Sequence, residues 1–197
     1  MKLFFKSLCC ALILSCLLSM TGFCGACDDI EKEVFRLHIL ANSDSSDDQQ
    51  LKLKVRDGVL AYTEHLFKNC ENKEQSMKTA EANIDDIKSY AQSLVYQYGY
   101  QYNVDAYITK MPFTTRNYEE VTLPAGTYDA LRIVIGSGNG HNWWCVLYPA
   151  LCLPSAEGNE LDNTVNEKES EIINNSAKYE VKFKIVELFE GFCSWFH

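Results

Sequence analysis

His141, Asn142 and Cys145 are the residue types of a cysteine-peptidase centre. In such a centre a thiolate attacks a carbonyl and an imidazole carries the proton. The nucleophile needs its base within hydrogen-bond reach, and its partners usually come from distant parts of the chain rather than adjacent positions. His141, Cys145 and Cys152 also have the types of metal ligands, but a structural zinc site takes four, commonly with closely paired cysteines. The run Gly136-Ser137-Gly138-Asn139-Gly140 resembles a phosphate cradle, which works by aiming backbone N–H groups and a helix start at the anion. Trp143, Trp144 and Pro149 argue against a following helix, and no Lys-Ser/Thr pair follows. Each chemistry therefore lacks a required companion. The reading that needs none is a tight strand connection followed by a Cys145–Cys152 disulfide that closes a small loop.

Asp44, Asp47 and Asp48 are calcium-type ligands without the Gly and distal Glu of an EF-hand loop. In the run Asn42–Asp48 they read better as helix-capping acceptors. His38 lies in an apolar run and is expected as a buried, satisfied histidine. No Gly-x-Ser-x-Gly or His-Glu-x-x-His motif occurs.

The elements that must position these residues follow from periodicity. Val34–Ala41 reads as a strand buried on at least one face. A helix follows with Leu51, Val55, Val59, Tyr62 and Leu66 on one side and Lys52, Lys54, Arg56 and Glu64 pointing elsewhere. A second helix opens at Asn72, with Gln75 three residues on in a capping-box-like pair. Its stripe is Met77, Ala80, Ile84, Ile87, Ala91, Leu94 and Tyr98, and Gly99 ends it. Val104–Thr109 alternates as a half-buried strand. A turn at Leu123-Pro124-Ala125-Gly126 joins a strand near Tyr118–Leu123 to another over Tyr128–Ile135. A last strand covers Trp143–Tyr148. A closing helix from about Tyr179 presents Val181, Ile185, Leu188 and Phe192. The fold class is α+β: a mainly antiparallel sheet with a helical hairpin and a C-terminal helix packed on it.

Residues 1–26 read as a signal peptide. Lys2 and Lys6 open it, Leu8–Met20 is its apolar stretch, and small residues around Gly25-Ala26 place cleavage before Cys27. Residues 27–197 then form one domain, with an acidic linker over 155–175. The formal charge is −9, and loss of the two leader lysines makes it −11. Such a chain is a poor nucleic-acid binder, which needs clustered Lys and Arg. Cys9, Cys10, Cys16 and Cys24 go with the leader, leaving Cys27, Cys70, Cys145, Cys152 and Cys193 in a compartment that permits disulfides.

Three blocks carry a family resemblance. The first is Arg36-Leu37-His38-Ile39-Leu40-Ala41-Asn42-Ser43-Asp44-Ser45, with Asp48–Lys52 and Lys54–Asp57 beyond. The second is Leu123-Pro124-Ala125-Gly126-Thr127-Tyr128-Asp129-Ala130. The third is Gly136-Ser137-Gly138 through Asn142-Trp143-Trp144-Cys145 to Pro149-Ala150-Leu151-Cys152. Together they resemble the stage II sporulation protein R family, as does the closing Glu180-Val181-Lys182-Phe183. The acidic stretch departs from any fixed pattern.

The resemblance implies a protein of endospore formers, exported from the forespore into the space between two membranes. Its implied partner is a membrane-embedded aspartic peptidase of the mother cell, which processes pro-sigma-E. The expectation is a secreted signalling ligand with no catalytic residues, no metal, no cofactor, no small-molecule substrate and no nucleic-acid partner. Contacts are expected from the Asn42–Asp48 and Gly136–Trp144 loops, through Asn42, Asp44, Asn142, Trp143 and Trp144, since loops at strand ends commonly carry binding residues. The alternatives are an exported cell-envelope hydrolase or thiol peptidase using His141 and Cys145, and a structural protein of the spore envelope.

Overall fold

The computed structural model describes residues 2–118, 121–149 and 165–195. Cys152 and residues 155–164 of the acidic stretch lie outside the described residues. The chain forms two compact units, one of residues 32–112 and 127–165, the other of residues 1–31, 113–126 and 166–197.

The first unit is built on β1, Phe35–Leu40, in which every residue is buried. Side chains alternate between faces along a strand. Phe35, Leu37 and Ile39 enter a core with Leu51, Val55 and Val59 of α2 (Ser46–Phe67) and with Ala80 of α3 (Lys73–Ala82). Ile87, Ala91 and Leu94 of α4 (Ile84–Gln97) complete it from the helix side, and Leu131 and Ile133 from the sheet. Arg36 and His38 take the opposite face, yet are 0% and 2% exposed. A strand buried on both faces explains why the run does not alternate. Each large apolar side chain so buried stabilises the unit by about 1.5–3 kcal/mol.

The sheet adds β2 (Val104–Phe113), β5 (Gly126–Ile135) and β6 (Asn142–Tyr148), in the order β2-β5-β1-β6. β1 runs antiparallel to β6 and parallel to β5. The Gly136 N–H donates to Asn103 O at 2.8 Å, which sets the end of β5 beside the start of β2, so those two strands run in opposite directions. The α+β class holds, with one parallel pairing at its centre. The periodicity predicts a single helix from Asn72 to Tyr98, but the structure breaks it at Asn83 (φ −114°, ψ 15°). There Asn83 Nδ2 donates to Thr79 O at 2.7 Å, the side-chain competition with the backbone that disfavours Asn inside helices. The apolar stripe passes through the break, so the hairpin still packs on the sheet.

The second unit holds most of α1 (Lys2–Glu33), the two-stranded ribbon of β3 (Arg116–Tyr118) and β4 (Val121–Leu123), α5 (Glu167–Asn174) and α6 (Ser176–Trp195). Helix α5 falls inside the stretch read as linker. A capping box between Asn166 and Glu169 starts it, and Ile172 and Ile173 are buried. Among the described residues no helix is long and apolar enough to cross a membrane.

The closing helix corrects one expectation. Val181 and Leu188 are each 73% exposed and Ile185 is 45% exposed, whereas Phe183 and Val186 are buried. The buried stripe is set by Tyr179 and Phe183, which meet the Phe23 ring of α1. Periodicity alone marks two apolar stripes on this helix and does not say which one finds a partner. Phe183→Ala should therefore destabilise the chain by about 3–5 kcal/mol in denaturant unfolding, and Leu188→Ala by no more than about 0.5 kcal/mol. Equal effects would return Leu188 to the core.

Candidate partner-binding site

The two loops expected as separate contact regions are one structure. Asn42 lies two residues past the end of β1 and reaches in both directions. Its Oδ1 accepts from the Ser137 N–H at 3.0 Å, and its backbone oxygen accepts from Ser137 Oγ at 2.7 Å. Its Nδ2 donates to Asp48 Oδ2 at 2.9 Å. Asn139 N–H donates to Asn42 O at 3.2 Å, and Gly140 N–H to Ala41 O at 3.0 Å. The Asn42 side chain is thus spent on joining the loops.

The glycines of the β5–β6 connection, which crosses the end of β1, permit this approach. Gly136 has φ +61°, and a Cβ on it would lie 2.3 Å from Asn42 Oδ1. A Cβ on Gly140 would lie 2.2 Å from the Ser43 carbonyl oxygen. No larger residue fits either place. The same bonds answer the phosphate reading. The N–H groups of Ser137, Asn139 and Gly140, which a cradle would aim at an anion, already donate to Asn42 and Ala41 just past β1.

The acidic residues of the first loop are likewise acceptors within the protein. Ser45 is the N-cap of α2 and accepts from Asp48 N–H at 3.2 Å. Asp48, 4% exposed, accepts from Asn42 and from Ser43 Oγ at 2.5 Å. Burial raises the Asp48 carboxyl pKa, but the bonds from Ser43, Asn42, Tyr102 and Ser45 outweigh it and hold the group below the usual carboxylate range. Asp44 accepts from the His141 N–H at 2.6 Å and also meets His141 Nδ1. Both side chains are largely exposed, at 55% and 77%. Among the described residues no group of three or more His, Cys, Asp and Glu could hold a metal.

Lys52 is the residue the sequence reading misplaces. It was expected to point away from the buried side, but it is 5% exposed and donates to His141 O at 2.9 Å and to Gln49 Oε1 at 2.6 Å. Gln49 Nε2 in turn donates to Ser43 O at 2.9 Å. Lys52 follows the core residue Leu51, so it borders the apolar stripe, where a lysine stem can be buried while its ammonium finds carbonyls. Burial, and then the Arg56 charge, lower its pKa. Arg56, four residues on from Lys52 along α2, lies with its guanidinium carbon 4.9 Å from the Trp143 ring centre.

The remaining candidates are held from β6. Trp143 packs toward the helix-side core and Trp144 toward the other face, as alternation along a strand requires. The Trp144 ring stacks on His38 with centroids 4.0 Å apart and planes 8° apart. His38 Nε2 donates to Asn142 Oδ1 at 2.8 Å, since that oxygen can only accept. Burial pushes the His38 pKa down to about 4, with the Asn142 bond opposing and the Arg132 charge adding to the shift. His38 is buried, as expected, and its Nε2 bond and ring stacking hold the first residues of β6. Cys145 is buried and disulfide-bonded, so its sulfur offers no thiolate for attack. Cys152, its expected partner, lies outside the described residues.

The segments clamped together here, Arg36–Asp57 and Gly136–Tyr148, lie in two of the three blocks that carry the family resemblance. The family model for stage II sporulation protein R (spore_II_R) matches residues 31–158. The chain belongs to that family. A curated relative, "Stage II sporulation protein R" of Bacillus subtilis (strain 168), is 35% identical over 141 residues. The match covers 72% of this chain and 63% of that relative, so it spans less than two thirds of the relative's length. No solved structure matches the chain. The family match ends before α6, so the likeness expected at Glu180–Phe183 falls beyond it.

The His38 environment has a pH signature. Its folded pKa, about 4, lies below the ordinary 6.5, so the unfolded chain binds the proton more tightly between those values. Stability from this site is full above pH 6.5 and is lost as pH falls toward 4, by up to roughly 3 kcal/mol. Unfolding of wild type and His38→Gln across pH 4–7 checks this: the difference between their curves should shrink as pH falls, and a constant difference would contradict it.

Proposed function

We propose that the chain is an exported signalling ligand of sporulation that activates a membrane-embedded aspartic peptidase processing pro-sigma-E. It works without catalysis of its own, by binding the active state of the peptidase more tightly than the inactive one. Family membership and the printed name of the relative support a sporulation role. The leader-like N-terminus supports export. The observation that carries the site is the clamp between the Asn42–Asp48 and Gly136–Trp144 loops. It presents Asp44, His141 and Asn142 on one rigid edge beside Trp143 and Arg56. Rigid polar groups beside a partly exposed Trp–Arg pair have the composition of an interface centre. The pairing of Cys145 with Cys152 belongs to the same proposal, as a staple on β6.

The test is pro-sigma-E processing in cells that carry the peptidase, with the chain supplied as wild type or variant. Trp143→Ala and Asp44→Ala should each lower processing at least about tenfold, the scale of a hot-spot loss of 1.4 kcal/mol or more, with export and folding intact. Cys145→Ser and Cys152→Ser should have matching effects, as two halves of one bridge. Full processing with both Trp143→Ala and Asp44→Ala would remove this edge from the interface. Loss with Cys145→Ser alone would favour the thiol-peptidase alternative.

A further inference from the structure

The last third of α1 is built into the second unit. Along this helix Phe4, Phe5, Leu8, Leu14 and Leu18 are 69%, 60%, 45%, 58% and 64% exposed. Among the described side chains of α1, burial begins at Met20. Phe23, Cys27 and Ile30 are 3%, 2% and 0% exposed, at the three- and four-residue spacing of one helix face. Phe23 stacks on Tyr179 with centroids 5.6 Å apart and meets Phe183 edge-on at 5.3 Å. Ile172, Phe183 and Val186 close the cluster around Phe23 and Cys27, with Met20 and Ala26 packed against it. The Lys182 ammonium lies 5.5 Å from the Phe23 ring centre.

A leader ending at Ala26 would be cut through the middle of this stripe. The cut would remove Met20 and Phe23, leave Cys27 at a charged new terminus, and uncover Tyr179 and Phe183. A chain cut there would have to fold without the Phe23 ring that Tyr179 and Phe183 pack against. We propose that Met20–Ile30 is the first core helix of the working protein, retained after export, and that any cleavage falls before Met20. This rests on the export reading only for there being a cleavage at all. The exposed apolar part of α1 is then the leader proper, and its boundary is the step in burial between Leu18 and Met20.

Two measurements on the full chain test it. Mass determination of the protein recovered from outside the producing membrane should give an N-terminus at or before Met20. A folded, active product beginning at Cys27 would overturn the proposal. Cysteine alkylation of the full chain at pH 8 supplies the second readout, because Cys24 and Cys27 share one helix. Cys24 is exposed, whereas Cys27 is buried and its thiol is pushed up to about 12, chiefly by that burial. Cys27 should react at least about tenfold more slowly than Cys24, and Phe23→Ala should narrow the gap. Equal rates in wild type would overturn the proposal. Failure of export alone would defeat the secreted-ligand reading while leaving the cysteine comparison intact.

Discussion

One asparagine holds the candidate site together. Asn42 follows β1 with both ends of its amide engaged, the oxygen by Ser137 of the β5–β6 connection and the nitrogen by Asp48 at the start of α2. An amide can accept on one side and donate on the other, which a carboxylate or a hydroxyl cannot do in the same geometry. Around it the remaining bonds fall into place: Ser43 and Ser45 serve the helix start, Asp44 receives His141, and Lys52 ties the His141 carbonyl to α2. Gly136 and Gly140 are what the clamp demands of the opposite loop, because a side chain at either would enter the space of Asn42 or Ser43.

The sheet supplies the second constraint. β1 is buried on both faces, so its polar residues must be satisfied within the protein. His38 Nε2 donates to Asn142 and its ring stacks on Trp144, and the Arg36 guanidinium carbon lies 4.8 Å from the Tyr128 ring centre. Burial of His38 therefore also sets the first turn of backbone after the loop. The edge that carries Asp44, His141 and Asn142 is supported by residues of β1 and β6.

Much of this was legible in the chain. The stripes Leu51-Val55-Val59 and Ile87-Ala91-Leu94 gave two core-facing helices because burial selects a 3.6-residue period. The Asn42–Asp48 run was readable as capping, and Ser45 is the cap. The clamp itself was not legible, since Asn42 and Ser137 are far apart in sequence and nothing local says that they meet. The buried Lys52 was hidden by its charge, and the break at Asn83 by a stripe that runs through it. On α6 two apolar stripes compete, and the choice of Phe183 over Leu188 depends on Phe23 of α1, which a reading of residues 1–26 as a disposable leader removes from consideration.

The central claim is that Asn42 locks the two loops into one edge, and amide hydrogen exchange at Ser137 reads it directly. In the wild-type chain this amide should be protected although its residue lies in an exposed loop. In Asn42→Ala its protection should fall at least about tenfold, the cost of roughly 1.4 kcal/mol or more for a lost acceptor, while core amides of β1 hold. A Ser137 amide that exchanges at the rate of an open loop in wild type, or one unmoved by Asn42→Ala, would contradict the account.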